Sequence, residues 1–337
     1  MLNDWHIGAI RTGGTTPATA YQLRQDLLQR FEETLYGIDT DLLLNGDLFD
    51  TANIPMPDLL RTYQVLTDWL TRTGKRLLGS EGNHDLSKNS TQMSSFQFLI
   101  ALLCDTHPEQ VIHISGGQAF ERFYVLSHVA NQDIFDMELT KVPECDYLFV
   151  HCNYDNGFAA ESDHSLNMSR EQVEKCLAKQ IVFAHEHQAR TELGGRVVVV
   201  GNQVPSSVSD CLNNSSKSLL RINDSGLMEF EETWKAEGDF SEQDWRDLKD
   251  EGRFVRVTGK ASAAEADQVV NAIARFRQKA DVLVITNAVK IEGTDDAAEL
   301  ALSHEAITQF NVLDALMEML EPAEQVKVKK LLEIEHA

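Results

Sequence analysis

Five short polar clusters each follow an apolar run, and that repetition constrains the fold more than any other feature of the chain. The clusters are Asp4-Trp5-His6, Gly46-Asp47-Leu48-Phe49-Asp50, Gly82-Asn83-His84-Asp85, His151 and His185-Glu186-His187. Short runs rich in leucine, β-branched or aromatic residues lead into the last four: Leu42 to Leu44, Arg76 to Leu78, Tyr147 to Val150 and Ile181 to Ala184. Such runs, closed by glycine and polar residues, read as buried strands. Val111 to Ile114, Phe123 to Ser127 and Val197 to Val200 read the same way. Helix-period segments lie between them, over Ala20 to Leu35, Pro57 to Thr73 and Met93 to Leu103. Ser169 to Ala178 reads as a further helix, with Ser169 as N-cap and Gln172 in the capping-box position. Strand and helix units in this order predict an α/β layered domain with mixed sheets.

The texture changes after Trp234. Lys235 to Gly252 is acidic and polar and reads as a linker or a solvated helix. A compact β-α-β unit follows, with strand Phe254 to Thr258, helix Ala263 to Gln278 and strand Val282 to Asn287. It is too small to fold alone and is expected to dock on the main domain. Two amphipathic helices are expected over Ile307 to Glu335. The first carries Phe310, Leu313, Leu316, Met317 and Leu320 on one stripe, Glu321-Pro322 breaks it, and Val326, Leu331, Leu332 and Ile334 follow. The expected boundaries are 1–234, 235–294 and 295–337.

No apolar stretch is long enough to cross a bilayer, and no secretion leader opens the chain. The five cysteines are scattered and odd in number, with no CxxC pair, so they read as reduced thiols of a cytoplasmic protein. The net charge of −23 argues against a free-standing nucleic-acid binder, which would show a basic balance. Bound divalent metals would offset part of the acidic excess.

Asp, His and Asn together point to Mn²⁺, Fe²⁺ or Zn²⁺ more than to Mg²⁺ alone, because these ions accept imidazole as well as oxygen. Asp4 and His6 stand two apart, as do His185 and His187. In an extended chain such residues point the same way and reach one ion. Asp47 follows a glycine that lets the backbone turn closely, and its carboxylate could bridge two ions. Alone, each cluster reads as a polar strand face or a turn; their joint occurrence selects the metal reading. His151 rests on context alone, and the remaining histidines, His128 among them, read as surface or core residues.

In order and spacing these motifs resemble the calcineurin-like metallophosphoesterases, and within them the Mre11/SbcD nuclease branch, including its phage versions. The likeness spans about residues 4–190 and continues more weakly through Val199 to Gly201, Pro205-Ser206-Ser207 and the β-α-β unit. It implies an α/β (α+β) fold: a four-layer metallophosphoesterase β-sandwich flanked by helices, with a small β-α-β capping domain and C-terminal helices. It implies two Mn²⁺ ions, with Mg²⁺, Fe²⁺ or Zn²⁺ as alternatives. Asp4, His6, Asp47 and His187 would hold one, and Asp47, Asn83, His151 and His185 the other. His84, oriented by Asp85, would be the catalytic pair, with Asp50 supporting a ligand. The implied activity is Mn²⁺-dependent DNA exonuclease and endonuclease cleavage in recombination, repair or replication. The implied partners are DNA and an SbcC/Rad50-like ATPase, bound through Phe310, Leu313, Leu316, Met317, Leu320 and Leu331, with a homodimer inside a heterotetramer and no membrane. No ATPase motif lies in the chain itself, since Gly259-Lys260 lacks Walker spacing. A small-molecule phosphodiesterase or phosphatase and a catalytically silent scaffold are the rival readings. Two departures from the family pattern stand out: Ala184 occupies the place of a usual glycine, and only Met1 to Asn3 precede Asp4. The second predicts an upstream start or an unusually short first strand.

Overall fold

The computed structural model describes residues 1–87, 89, 91–156, 165–212, 215–279 and 281–292. The C-terminal helices expected to carry Phe310, Leu313, Leu316, Met317, Leu320 and Leu331 lie outside the described residues. The chain divides into two compact units, Met1–Gly259 with Gln268–Val289, and Lys260–Asp267 with Lys290–Ala337. It is a mixed α/β protein, and no described helix is long and apolar enough to cross a membrane.

The first unit contains two main sheets. One is parallel throughout, formed by β1 (Leu42–Asn45), β2 (Leu77–Ser80) and β3 (Val111–Ile114) in that order. The other contains β4 (Gly117–Ala119), β5 (Phe123–Leu126), β6 (Cys145–His151), β9 (Ala178–Ala184), β10 (Arg190–Glu192) and β11 (Val197–Val199), in the order β10-β11-β9-β6-β5-β4. Its inner strands run parallel and its two edge strands antiparallel. Two short strands, β7 (Asn153–Tyr154) and β8 (Asn167–Met168), pair beside it.

Side-chain alternation explains why both sheets are apolar on each face. Leu42, Leu44 and Leu77 join a cluster with Leu23, Leu27 and Phe31 of α1 (Pro17–Tyr36), Leu66 and Trp69 of α2 (Met56–Thr73), and Phe96 and Ile100 of α3 (Ser95–Thr106). Leu43, Leu78 and Ile114 turn the other way and pack with Val125, Tyr147, Phe149, Val182 and Val198 of the second sheet. The opposite face of that sheet, with Leu148, Val150, Ile181 and Phe183, packs on Phe135 of α4 (Gln132–Leu139) and Val173 of α5 (Arg170–Lys175).

Local signals set several boundaries. Thr16, Ser94 and Ser169 each close a capping box, satisfying amides that a helix start leaves open. The helix expected over Ser169 to Ala178 stops at Lys175, because Cys176 is extended and Ala178 already pairs with Cys145. The chain before β1 makes only two bridges, Leu2 with Leu44 and Ile7 with Phe49, rather than a strand.

A hairpin of β12 (Ser216–Ile222) and β13 (Met228–Lys235) went unforeseen, as did β14 (Phe240–Asp244) inside the supposed linker or helix. β14 pairs in parallel with β15 (Phe254–Thr258), which pairs in parallel with β17 (Val284–Asn287) through α6 (Ala266–Lys279). Phe254, Leu283 and Val284 share the cluster of Leu23 and Trp69. In the second unit, the described residues form β16 (Lys260–Ser262) paired in parallel with β18 (Lys290–Glu292).

Candidate metal centre

β1 and β2, and likewise β6 and β9, are neighbouring parallel strands, and four of the five polar clusters lie at their carboxyl ends. Gly46 follows β1 at φ 84° and turns the chain so that Asp47 folds back. There is no room for a side chain beneath it: a Cβ at Gly46 would lie 2.2 Å from His151 Nδ1, and one at Gly82 would lie 2.2 Å from Asp47 Oδ1.

The structure brings all seven expected ligands together. Ligand atoms of Asp4, His6 and His187 lie within 4.8 Å of one another, as do those of Asp47, His151 and His185, and those of His6, Asp47 and His84. Asn83 joins the second group, its Oδ1 lying 3.1 Å from His151 Nε2 and 3.0 Å from His185 Nδ1. Asp47 Oδ2 is 3.3 Å from His151 Nε2, and His6 Nε2 is 3.1 Å from His187 Nε2. Asp4, Asp47 and His151 are buried.

The convergence does not come from strand alternation. Asp4 (φ 52°), His6 (49°), Asp47 (50°) and His185 (87°) all hold left-handed backbone. Non-glycine residues in that region are uncommon, and the conformation persists only where surrounding contacts over-determine it. Trp5 supplies one such contact, with its ring edge-on to Phe31 and its Nε1 donating to Gln203 Oε1. Gln203 Oε1 also accepts the Asn3 amide, and Asn3 Nδ2 donates to Asp4 Oδ2. The His185 amide donates to that same oxygen.

Burial alone would raise the Asp47 carboxyl, but the charge and hydrogen bond of His151, with His6 and His84, hold it well below the ordinary carboxylate value. Burial likewise opposes protonation of His151, and the Asp47 carboxylate overcomes it and raises that imidazole to about 9. Negative carboxylates facing ring nitrogens are what a divalent cation replaces protons to occupy. The donor set fits such an ion, and so does Asp4 Oδ1, which is buried without a hydrogen-bond partner. Buried Asp and His groups therefore stand close enough to hold a metal ion.

Asp85 does not orient His84, contrary to the sequence expectation. Its two oxygens accept the Phe49 and Gly82 amides, tying the loops after β1 and β2 together. Burial and the Asp47 charge push its carboxyl up to about 8. The His84 ring is held instead by its Nδ1 on the Asp50 carbonyl at 2.6 Å, and the His84 amide donates to Asp47 Oδ1. Asp50 stands 3.4 Å from His6 Nδ1 and accepts from Arg11.

Three neighbours escaped the sequence reading. Asp210, in a single 3₁₀ turn (Ser209–Cys211), accepts from His187 Nδ1 at 2.6 Å. Arg11 bridges Asp50 and Ser206. His128 is not a detached core residue: its ring meets His151 edge-on, and burial, with the His151 charge, lowers it to about 4. Only the nearby Pro205-Ser206-Ser207 offered a signal for the first, and nothing local marked the others. No protein-family model matches the chain, and no curated protein matches it either.

Proposed function

We propose that this chain is a two-metal phosphodiesterase of the calcineurin-like type, a Mn²⁺-dependent DNA nuclease subunit that works with a separate coiled-coil ATPase. The observation that carries the reading is the meeting of Asp4, His6 and His187 beside Asp47, Asn83, His151 and His185, in a pocket that left-handed backbone and glycine contacts shape. The three apolar clusters, on and between the two sheets, support a four-layer α/β/β/α sandwich. The β-α-β unit over Phe254–Asn287 would be the capping element. The C-terminal segment from Phe310 would bind the ATPase.

In this reading Asp4, His6, Asp47 and His187 would hold one cation, and Asp47, Asn83, His151 and His185 would hold the other. The bound pair would supply Lewis-acid stabilisation of charge developing on the phosphoryl oxygens. The chain's own residues do the rest. A carbonyl only accepts, so His84 carries its first proton on Nδ1, toward Asp50. Its Nε2 is then the position from which a second proton passes to the departing oxygen. Asp85 keeps the two loops in register without touching that ring.

The test is purified, chelator-stripped protein given Mn²⁺ and three substrates: linear duplex DNA, single-stranded DNA and bis-p-nitrophenyl phosphate. Cleavage of either DNA supports the nuclease reading. Turnover of the small ester alone points to a small-molecule phosphodiesterase. No turnover, with no stoichiometric Mn²⁺ uptake, defeats the metal reading altogether.

A further inference from the structure

The His187 side of the centre is closed by a ring of polar contacts drawn from four distant stretches of chain. His187 Nδ1 donates to Asp210 Oδ1 at 2.6 Å. Asp210 Oδ2 accepts three more bonds: from the Ser206 amide at 2.9 Å, the Ser206 hydroxyl at 3.1 Å and the Ser207 amide at 2.9 Å. The Ser206 hydroxyl in turn accepts from Arg11 Nη2 at 2.6 Å, so its own proton is directed toward Asp210. Arg11 Nη1 donates to Asp50 Oδ1 at 2.7 Å, and that oxygen lies 3.4 Å from His6 Nδ1. The ring closes where His6 Nε2 meets His187 Nε2 at 3.1 Å.

We propose that Asp210 is a positioning residue for one cation of the pair: it holds the His187 proton on Nδ1 and so keeps Nε2 aimed, with Asp4 and His6, at that cation. The proposal rests on the two-cation reading above. Its physical basis is that an ionised carboxylate only accepts, so its partner nitrogen must be the protonated one. Asp210 is itself nearly buried, with 3 % of its side chain exposed. Apart from the shared Asp47, the groups at the other cation are held by contacts outside this ring. His151 Nδ1 rests on the Asn45 carbonyl, and Asn83 Oδ1 faces His151 and His185. Asp210 therefore acts on one cation and not on both.

An asparagine at 210 cannot reproduce the arrangement. Placed with its amide nitrogen on the Oδ2 side, it meets the Ser206 and Ser207 amides donor to donor. Flipped, it donates to His187 Nδ1 and moves the ring's proton to Nε2, where the cation should be. The experiment is a Mn²⁺ titration of the full chain, wild type and Asp210→Asn, followed by the paramagnetic resonance signal of free Mn²⁺. The expected result is two ions bound by wild type and a loss of about 10–100-fold in affinity for one of them in the variant. The second ion should be bound as in wild type, while the metal-free variant should melt lower because the amide cannot accept all the hydrogen bonds of the carboxylate. In a His187→Ala background, Asp210→Asn should add no further loss.

Two ions bound by wild type with unaltered affinities in Asp210→Asn overturns the role of Asp210 alone. Equal weakening of both ions overturns it as well, by showing a general structural effect. Wild type that takes up no Mn²⁺ sinks the two-cation reading itself. Should Asp210→Asn fail to fold, Asp210→Glu keeps the charge and moves the carboxylate by one methylene. Selective loss of one ion in that variant supports the assignment, and unaltered uptake of both defeats it.

Discussion

His151 and His187 face the same cluster from opposite sides and are held by different means. The His151 side chain is fully buried, with its Nδ1 on a main-chain carbonyl and its ring pressed on Gly46. The His187 side chain is 31 % exposed, and its Nδ1 rests on the carboxylate of Asp210, itself fixed by Ser206 and Ser207. Packed backbone shapes the first half and a polar side-chain ring shapes the second. The first should therefore respond to added volume, and the second to changes of charge and hydrogen-bond direction.

The largest expected effect is steric. Gly46→Ala puts a methyl 2.2 Å from His151 Nδ1 at a residue with φ 84°. Mn²⁺-dependent hydrolysis should vanish, and the uptake of at least one ion with it. Gly201→Ala, on the His187 side at φ 78°, meets the Ala189 amide nitrogen at 2.9 Å and the His187 carbonyl at 3.0 Å but no ligand side chain, so it should do less to metal uptake while destabilising the fold by about 1 kcal/mol or more. Equal loss of metal in the two variants, measured by titration, would erase the contrast.

Next in size is His84→Ala. It should lower hydrolysis by roughly 10²–10⁴-fold and leave both Mn²⁺ affinities intact, separating proton transfer from either half. A variant that cleaves at the wild-type rate removes His84 from the mechanism.

Acidity gives a third handle, and it acts on the buried half. Without metal, the Asp47 carboxylate raises His151 to about 9, above its ordinary value. Its contribution to stability is therefore complete below the unfolded imidazole value and is lost as pH rises through the folded one. A cation must displace that proton, so affinity for it should rise with pH by about tenfold per unit per proton between neutrality and that value. Calorimetry in two buffers of different ionisation enthalpy should record the released proton. Affinity that is flat across the range would contradict the assignment.

The smallest expected effect on catalysis comes from Asp85→Asn. The amide leaves either the Phe49 or the Gly82 N–H facing a donor, at about 1–3 kcal/mol of stability. Because the His84 ring rests on Asp50, folded Asp85→Asn should keep most of its turnover. A collapse of kcat without loss of melting temperature would restore the orienting role expected from sequence.

Six of the seven candidate ligands were legible because they stand in compact polar strings, and His151 only because it ends the apolar run Tyr147 to Val150. The buried strands were legible through Leu42 to Leu44 and Ile181 to Ala184, whose composition leaves little choice. What the sequence hid lies in contacts between distant residues. Nothing near Arg11 or Asp210 announces that they meet through Ser206, some two hundred positions apart for one of them. The strand Met228–Lys235 was hidden because it is mostly exposed and rich in glutamate, and its alternation of Met228, Phe230 and Trp234 is interrupted by Glu232. Asp244 and its neighbours were read as linker for the same reason, yet main-chain pairing with Phe254–Thr258 makes them a strand. Strand alternation did suggest that Asp4 and His6 share an ion, but the backbone reaches that end by another route.

Those left-handed residues have a consequence for anyone hoping to borrow the site. Each stands at a conformation that disfavours a side chain by about 1–3 kcal/mol, so none of the loops would retain its shape when cut from its surroundings. Synthetic peptides copying Asp4-Trp5-His6 or His185-Glu186-His187 should chelate no better than arbitrary histidine-bearing sequences, and transplanting the strings onto another scaffold would carry over the letters without the coordination.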